Sequence, residues 1–239
     1  MKKEDKMRLR KYLLPVAVIF MIMTFFSCSY NPAEYNPLNE GDEWTYEFTL
    51  NGNTMSPLEV FIGDTEWVNG VESKRYNMSS PTPNEYDYYC FTIEDEGLIQ
   101  PKIYWASFGI YIIMDPPRMV FPANFKLGEV YEQPYGYTQY SIDDGSVVGT
   151  FTGSETVTLE SREDVTVPAG TFKDCLKVVT STYSQSGDWV EAIDEITWYA
   201  RKVGMVKHDI TFHQRNHPVQ GDMDTPITHD LSDYNVEVP

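Results

Sequence analysis

The chain has 239 residues, with 18 basic and 36 acidic side chains and a formal net charge of −18. A surface of this charge repels the phosphates of nucleic acids and anionic lipid headgroups, so neither is an expected partner. The length is ordinary for a single β domain, and aromatic residues make up 14% of the chain. The composition therefore favours an acidic folded protein and argues against nucleic-acid binding.

The N-terminus carries the pattern of an export signal. Six basic residues lie between Lys2 and Lys11, and residues 13–26 form an apolar run that suits a signal-peptide core better than a membrane span. The junction Ser27-Cys28 that follows resembles a bacterial lipobox. The alternative is an ordinary signal peptide with an incidental cysteine. We predict that residues 1–27 are a lipoprotein signal peptide and that Cys28 is the site of lipid attachment.

Removal of residues 1–27 would leave 12 basic and 34 acidic residues, a net charge of −22. Attachment to a membrane would then come from lipid on Cys28 and not from charge. The expected location is the bacterial cell envelope, anchored to the outer membrane. No acidic run follows Cys28 of the kind that directs some lipoproteins to the surface, so the periplasmic face is favoured over the cell surface.

The rest of the chain is predicted to be a short tether, residues 28–38, followed by one antiparallel β domain, residues 39–238. Trp44, Tyr46, Phe48 and Leu50 alternate with polar residues, which is the pattern of a half-buried strand. Turn signals such as Asn51-Gly52 recur about every 8 to 12 residues between β-branched and aromatic runs. A long loop is expected at residues 213–226.

The middle of the chain is rich in aromatic residues, and tyrosine suits half-wet positions where a ring packs and its hydroxyl meets solvent or a ligand. Two interpretations are open. The rings belong to the core and to an ordinary outer face, or they line a concave sheet that accepts an apolar or sugar ligand. The candidates for facing such a ligand are Tyr86, Tyr88, Tyr104, Trp105 and Tyr111.

Two turn motifs stand out in the second half: Val-Pro-Ala-Gly-Thr-Phe at residues 167–172 and Tyr-Ala-Arg-Lys-Val-Gly-Met-Val at residues 199–206. Together they resemble a broad set of uncharacterised secreted bacterial lipoproteins, some of which are thought to be related to half-barrel lipoprotein carriers. Those proteins often have Pro-Gly where this chain has Arg201-Lys202. The resemblance implies a fold and no catalytic residue.

No nucleophile elbow, zinc-protease helix or phosphate loop is present, so no catalytic residue, metal ligand or cofactor site is assigned and an enzyme is not expected. Four adjacent acidic pairs and four histidines are interpreted as surface residues. Cys90 and Cys175 would be the two cysteines left after lipidation, as a possible disulfide or as two isolated buried thiols.

The sequence thus predicts an all-β fold of about a dozen antiparallel strands, either a half-barrel or a two-layer β-sandwich. The favoured function is a non-catalytic, lipid-anchored lipoprotein that binds a hydrophobic or glycan ligand on a curved sheet. The alternative is a structural or assembly lipoprotein that contacts another protein of the envelope.

Overall fold

The computed structural model describes residues 29–79, 86–217 and 221–237, and these ranges are almost entirely β-strand. A short helix, α1, spans Pro32–Tyr35, and a 3₁₀ turn spans Ala106–Phe108. The strands are β1 Ser29–Tyr30, β2 Glu43–Leu50, β3 Asn53–Thr54, β4 Leu58–Val68, β5 Val71–Ser79, β6 Tyr86–Glu94, β7 Gly97–Trp105, β8 Ile110–Pro122, β9 Phe125–Lys126, β10 Val130–Ser141, β11 Val147–Val167, β12 Gly170–Ser186, β13 Trp189–Ala200, β14 Gly204–His217 and β15 Gly221–Asn235.

Twelve of these strands form one closed antiparallel sheet. From β2 to β15 each long strand pairs with the next long strand in the chain, while the two-residue β3 adds only to the edge of β2. The last strand, β15, then pairs with β2 from Ile227 opposite Leu50 to Asn235 opposite Glu43. This pairing returns the sheet to its first strand. The predicted all-β fold of about a dozen strands is confirmed, and the β15–β2 pairing joins the two ends of the sheet.

Side-chain alternation explains why these segments form strands. In β2, Trp44 and Tyr46 are buried while Glu43 and Glu47 are exposed, because successive side chains of a strand point to opposite faces. The buried set points into the ring, where Trp44 packs against Tyr76 with ring centroids 5.5 Å apart. The same alternation recurs around the sheet and gives it an inner and an outer face.

Both sequence motifs are turns. Residues 168–169 join β11 to β12, and Gly170 has a φ of +132°, a conformation that a residue with a side chain rarely adopts. The backbone nitrogen of Ala169 donates a 2.9 Å hydrogen bond to the carbonyl oxygen of Leu231, so this hairpin reaches across to β15. At the second motif Lys202 has a φ of +64°, at the place where the similar lipoproteins carry glycine.

Because neighbouring strands are antiparallel, the turns between them alternate between the two ends of the ring. One end has the turns at residues 95–96, 168–169 and 201–203, and it also receives the N-terminal segment; we call it the N-terminal end. The other end has the turns at residues 106–109, 142–146 and 187–188, and we call it the far end.

The predicted tether at residues 28–38 is wrong for the part that the structure describes. Ser29 and Tyr30 pair with Lys126 and Phe125 as a two-stranded sheet, and Tyr35 is buried against Phe121. The segment packs because Tyr30 and Tyr35 contribute two rings that the short, polar stretch did not suggest. Cys28 itself lies outside the described residues.

The predicted long loop at residues 213–226 is also wrong, since β14 runs to His217 and β15 begins at Gly221. His213 lies opposite Asp224 in the register, and an ion pair of 2.7 Å joins Arg215 to Asp224. Both faces of this hairpin are partly exposed, so polar side chains occupy both faces. The alternation of apolar and polar residues that indicates a strand is therefore lost.

Candidate ligand-binding interior

Three charged side chains from separate strands meet inside the ring and identify its inner face. Arg118 of β8 lies 2.7 Å from Glu155 of β11 through Nε, and 2.6 Å from Glu195 of β13 through Nη2. These strands are not neighbours in the sheet, so the contacts cross its interior. Any residue that shares a face with these three therefore points into the ring.

This buried ionic cluster is satisfied by its own partners. Glu155 accepts hydrogen bonds from Thr182 Oγ1 at 2.7 Å and from Gln133 Nε2 at 2.6 Å. Burial raises the pKa of Glu155, whereas at Glu195 the neighbouring Arg118 guanidinium outweighs burial and lowers the pKa. A charge cluster of this kind fixes the relative positions of three strands.

Gln133 also closes a seam in the sheet. The pairing of β8 with β10 stops at Met114, before Pro116 and Pro117, which have no backbone N–H to donate. Beyond that point the Gln133 side chain accepts a 2.9 Å hydrogen bond from Met119 N and donates one of 2.9 Å to Met119 O. A buried side-chain amide thus replaces the backbone hydrogen bonds that are missing between β8 and β10.

The inner face toward the far end has two unlike walls. On β7, β8, β10 and β11 the inward side chains are packed: Ile112, Met114, Tyr137 and Phe151 are buried in one cluster. On β13, β14, β15 and β2 six apolar side chains are only partly buried, and within the described ranges they belong to none of the packed clusters. We call these six the inner apolar wall: Phe48, Leu50, Ile193, Ile210, Phe212 and Ile227.

The register places the members of the inner apolar wall side by side. Ile193 lies opposite Phe212, Ile210 opposite Ile227, and Ile227 opposite Leu50. Ile210 is also opposite Glu195, which points inward, so the wall shares the inner face. The wall is therefore a continuous apolar strip over four adjacent strands.

Two histidines lie beside this wall, which corrects their interpretation as surface residues. The His229 ring stacks on Phe48 at 5.2 Å and on His208 at 5.5 Å. Burial, with a smaller contribution from His208, lowers the pKa of His229 to about 3, and burial also lowers the pKa of His208. Both rings are therefore expected to be neutral at pH 7.

Three buried polar atoms in this region have no hydrogen-bond partner among the described residues: His229 Nδ1, Gln214 Oε1 and Thr225 Oγ1. Thr225 lies opposite Phe212 and thus on the inner face. Buried polar atoms are nearly always hydrogen-bonded, so unpaired ones beside a half-exposed apolar strip are sites for a ligand or for water.

Three of the five aromatic residues proposed from the sequence lie on the outer face, around a lysine. The ammonium of Lys102 is 5.4, 5.5 and 5.4 Å from the ring centroids of Tyr88, Tyr104 and Tyr111. Its Nζ also lies 2.5 Å from Glu66 Oε1. The three rings thus converge on a side chain of the protein itself.

The other two proposed residues lie apart from that group. Tyr86 is exposed on the outer face, edge-on to Phe61 at 5.4 Å. Trp105 is on the inner face, where it packs against the buried cluster of the far end and lies 5.9 Å from Phe108. The five residues do not converge on one cavity, and the sequence reasoning missed the inner apolar wall.

Cys90 and Cys175 are both free and buried, so the possible disulfide is not formed in the structure. Burial raises the pKa of Cys90 to about 12 and that of Cys175 to about 11. Both thiols therefore stay protonated and unreactive at neutral pH, because the thiolate is the reactive form.

Of the four acidic pairs, Asp95-Glu96 and Asp143-Asp144 are at turns, as interpreted from the sequence. The other two pairs are not at turns: Glu163, Asp164 and Asp194 are exposed within β11 and β13, and Glu195 belongs to the buried ionic cluster. Within the described ranges, no group of three or more histidine, cysteine or carboxylate side chains is arranged to hold a metal ion. None of the helices in those ranges has the length and apolar character needed to span a bilayer.

A separate pocket of about 370 Å³ lies at the N-terminal end of the ring, outside the inner apolar wall. It is lined by Asp95, Glu96, Met119, Pro122, Ala123, Asn124, Phe125, Glu129 and Tyr131.

A family model described as DUF3108-like matches residues 139–222. No curated protein matches the chain. Among solved structures, a candidate lipoprotein of Parabacteroides distasonis is similar at 17% identity and a TM-score of 0.49, covering 87% of this chain and 99% of that one. A candidate exported protein of Bacteroides fragilis with a YmcC-like fold is similar at 13% identity and a TM-score of 0.47, covering 87% of this chain and 100% of that one.

Proposed function

We propose that the protein is a non-catalytic lipoprotein of the bacterial cell envelope, anchored through Cys28 to the periplasmic face of the outer membrane, that binds an apolar ligand inside its closed sheet. The basic N-terminus, the apolar run at residues 13–26 and the Ser27-Cys28 junction support the anchor. The inner apolar wall supports the ligand.

The observation that carries the proposal is the partial exposure of six inward-facing apolar side chains. A closed sheet without a ligand is normally filled by its own side chains, as the opposite wall of this ring is. Ligand sites are mostly apolar with a few polar groups that fix orientation. The unpaired atoms of His229, Gln214 and Thr225 provide such groups beside the wall.

The position of the wall fits a carrier. The wall lies toward the far end of the ring, whereas Ser29, the residue after the proposed anchor, is fixed at the N-terminal end. A ligand would therefore enter from the side that faces away from the membrane.

The ligand proposal is tested with the apolar fluorescent probe N-phenyl-1-naphthylamine and the double variant Phe212→Asn, Ile227→Asn. Loss of two apolar contacts is expected to weaken probe binding by about tenfold or more, because burial of one such side chain is worth about 1.5–3 kcal/mol. Binding is measured by fluorescence titration, and folding of each variant by circular dichroism.

The matched control is Thr211→Asn, Thr228→Asn, which changes the outer face of the same two strands. It should bind the probe as the wild type does. Equal affinity in the wall variant and the control would contradict a site at the inner apolar wall. A rise in melting temperature with oligosaccharides instead of the probe would assign the site to a glycan.

The anchor is tested by metabolic labelling with a fatty-acid analogue in the native host. The wild-type protein should take up label and Cys28→Ala should not, since the lipid is joined to that cysteine. Both proteins are compared at equal expression. Label in both at the same level would refute attachment at Cys28.

A second candidate, contact with another envelope protein, is favoured by exposed apolar side chains at the far end. Phe108, Val147 and Val148 are 75%, 61% and 56% exposed. Isolated exposed apolar residues are common, but one on the turn before β8 and two at the start of β11, at the same end of the ring, suggest a contact surface. Cross-linking in cells from position 108 that captures one specific envelope protein, together with no probe binding, would favour this candidate over the carrier.

A further inference from the structure

A second group of exposed apolar side chains lies beside the point where the described chain begins. Ser29 pairs with Lys126. Shortly after Lys126 in the chain come Leu127, Val130 and Tyr131, whose side chains are 55%, 53% and 36% exposed. We call these three the basal patch. Ser29, the first described residue, is therefore paired with the residue that directly precedes Leu127.

A hydrogen-bonded turn holds Leu127 of the basal patch outward, and Val130 and Tyr131, the first two residues of β10, point to opposite faces of the sheet at the same end of the ring. Glu129 N donates to the carbonyl oxygen of Lys126 at 2.9 Å, and Gly128 N donates to that of Leu159 at 2.7 Å. Lys126 N donates to the side chain of Glu129 at 2.9 Å, and the preceding Phe125 is buried. With both sides of the turn fixed, Leu127 projects from the molecule at a defined place.

We propose that the basal patch rests in the headgroup layer of a bilayer with uncharged headgroups. The proposal rests on the lipid anchor at Cys28. Ser29 and Tyr30 are paired into the domain, so no flexible tether separates the anchor from the folded chain. A lipid on Cys28 would bring the N-terminal end of the ring against the membrane, and Leu127 of the patch directly follows the residue that Ser29 pairs with.

The charge near the patch selects the kind of membrane surface. Asp95, Glu96 and Glu129 line the pocket that Tyr131 also lines, and the chain without its signal peptide has a net charge of −22. These carboxylates repel anionic headgroups. Aromatic and aliphatic side chains at a membrane interface gain from burial in the headgroup layer, and that gain needs no opposite charge.

The test uses the mature lipidated protein reconstituted into phosphatidylcholine vesicles. One variant is Leu127→Cys and its matched control is Val147→Cys, an exposed apolar position of similar accessibility at the far end. Each is labelled with an environment-sensitive fluorophore. Cys90 and Cys175 are buried, with raised thiol pKa values, so the introduced cysteine takes the label.

Quenching by lipids that carry spin labels near the headgroup is expected to be several-fold stronger at position 127 than at position 147. Addition of an anionic lipid should reduce the quenching at position 127. Equal quenching at the two positions, or none at position 127 in protein that sediments with the vesicles, would overturn the basal patch and leave the anchor intact. Protein that does not sediment with the vesicles would overturn the anchor and the basal patch together.

Discussion

At the scale of single residues, Arg118 holds the interior together. Among the described residues it is the cation that pairs with both Glu155 and Glu195, and its side chain is 13% exposed. Arg118→Met would leave two buried carboxylates without their paired cation, and we expect it to lower the free energy of unfolding by about 3–5 kcal/mol. Urea unfolding at pH 7 measures the effect.

The triple variant Arg118→Met, Glu155→Gln, Glu195→Gln separates charge from packing. It keeps the side-chain sizes nearly constant and removes the unpaired charges, so much of the lost stability should return. A single Arg118→Met variant as stable as the wild type would show that the cluster does not hold the strands.

At the scale of elements, the sequence predicts those strands whose two faces differ. Trp44 and Tyr46 alternate with exposed residues, and β2 follows the prediction. β14 and β15 were missed where both of their faces are half exposed, because periodicity then carries no signal. The docking of residues 29–38 was missed because it depends on contacts with β7 and β9, which no local pattern encodes.

The site was predicted less well than the fold for a related reason. The high tyrosine content of the middle of the chain led to the prediction of a ligand site there. Tyr88, Tyr104 and Tyr111 instead surround Lys102 on the outer face. The phase of β11 did carry a signal for the ionic cluster. Phe151, Val157 and Leu159 are buried at odd-numbered positions, and Glu155 lies on the same face of the strand. The alternation of β11 would therefore have indicated an inward-facing acidic side chain.

At the scale of the whole molecule, the ring should lose stability in mild acid. His208 interacts electrostatically with Glu195 and Arg118, the His229 ring stacks on His208, and the pKa of His229 is lowered to about 3 from its usual 6.5. A lowered pKa contributes stability that is full above pH 6.5 and declines as the pH falls toward 3. Between pH 7 and pH 5 the expected loss from His229 is about 2 kcal/mol.

The measurement is urea unfolding at both pH values for the wild type and for His229→Gln, which cannot be protonated. The variant should show a smaller difference between the two pH values. Thr228→Gln, on the outer face of the strand that holds His229, keeps every histidine and is the control, so it should retain the wild-type difference. Identical pH dependence in all three proteins would mean that His229 does not titrate in this window.

The closure of the sheet through β15 and β2 has a consequence for biosynthesis. The first long strand finds its second neighbour only in the last strand of the chain, nearly 180 residues later. Until β15 has been synthesised and exported, one edge of β2 stays unpaired, and open strand edges invite pairing with other chains. Closing so large a loop is also slow. The nascent protein therefore depends on protection from association until its C-terminus has crossed the membrane.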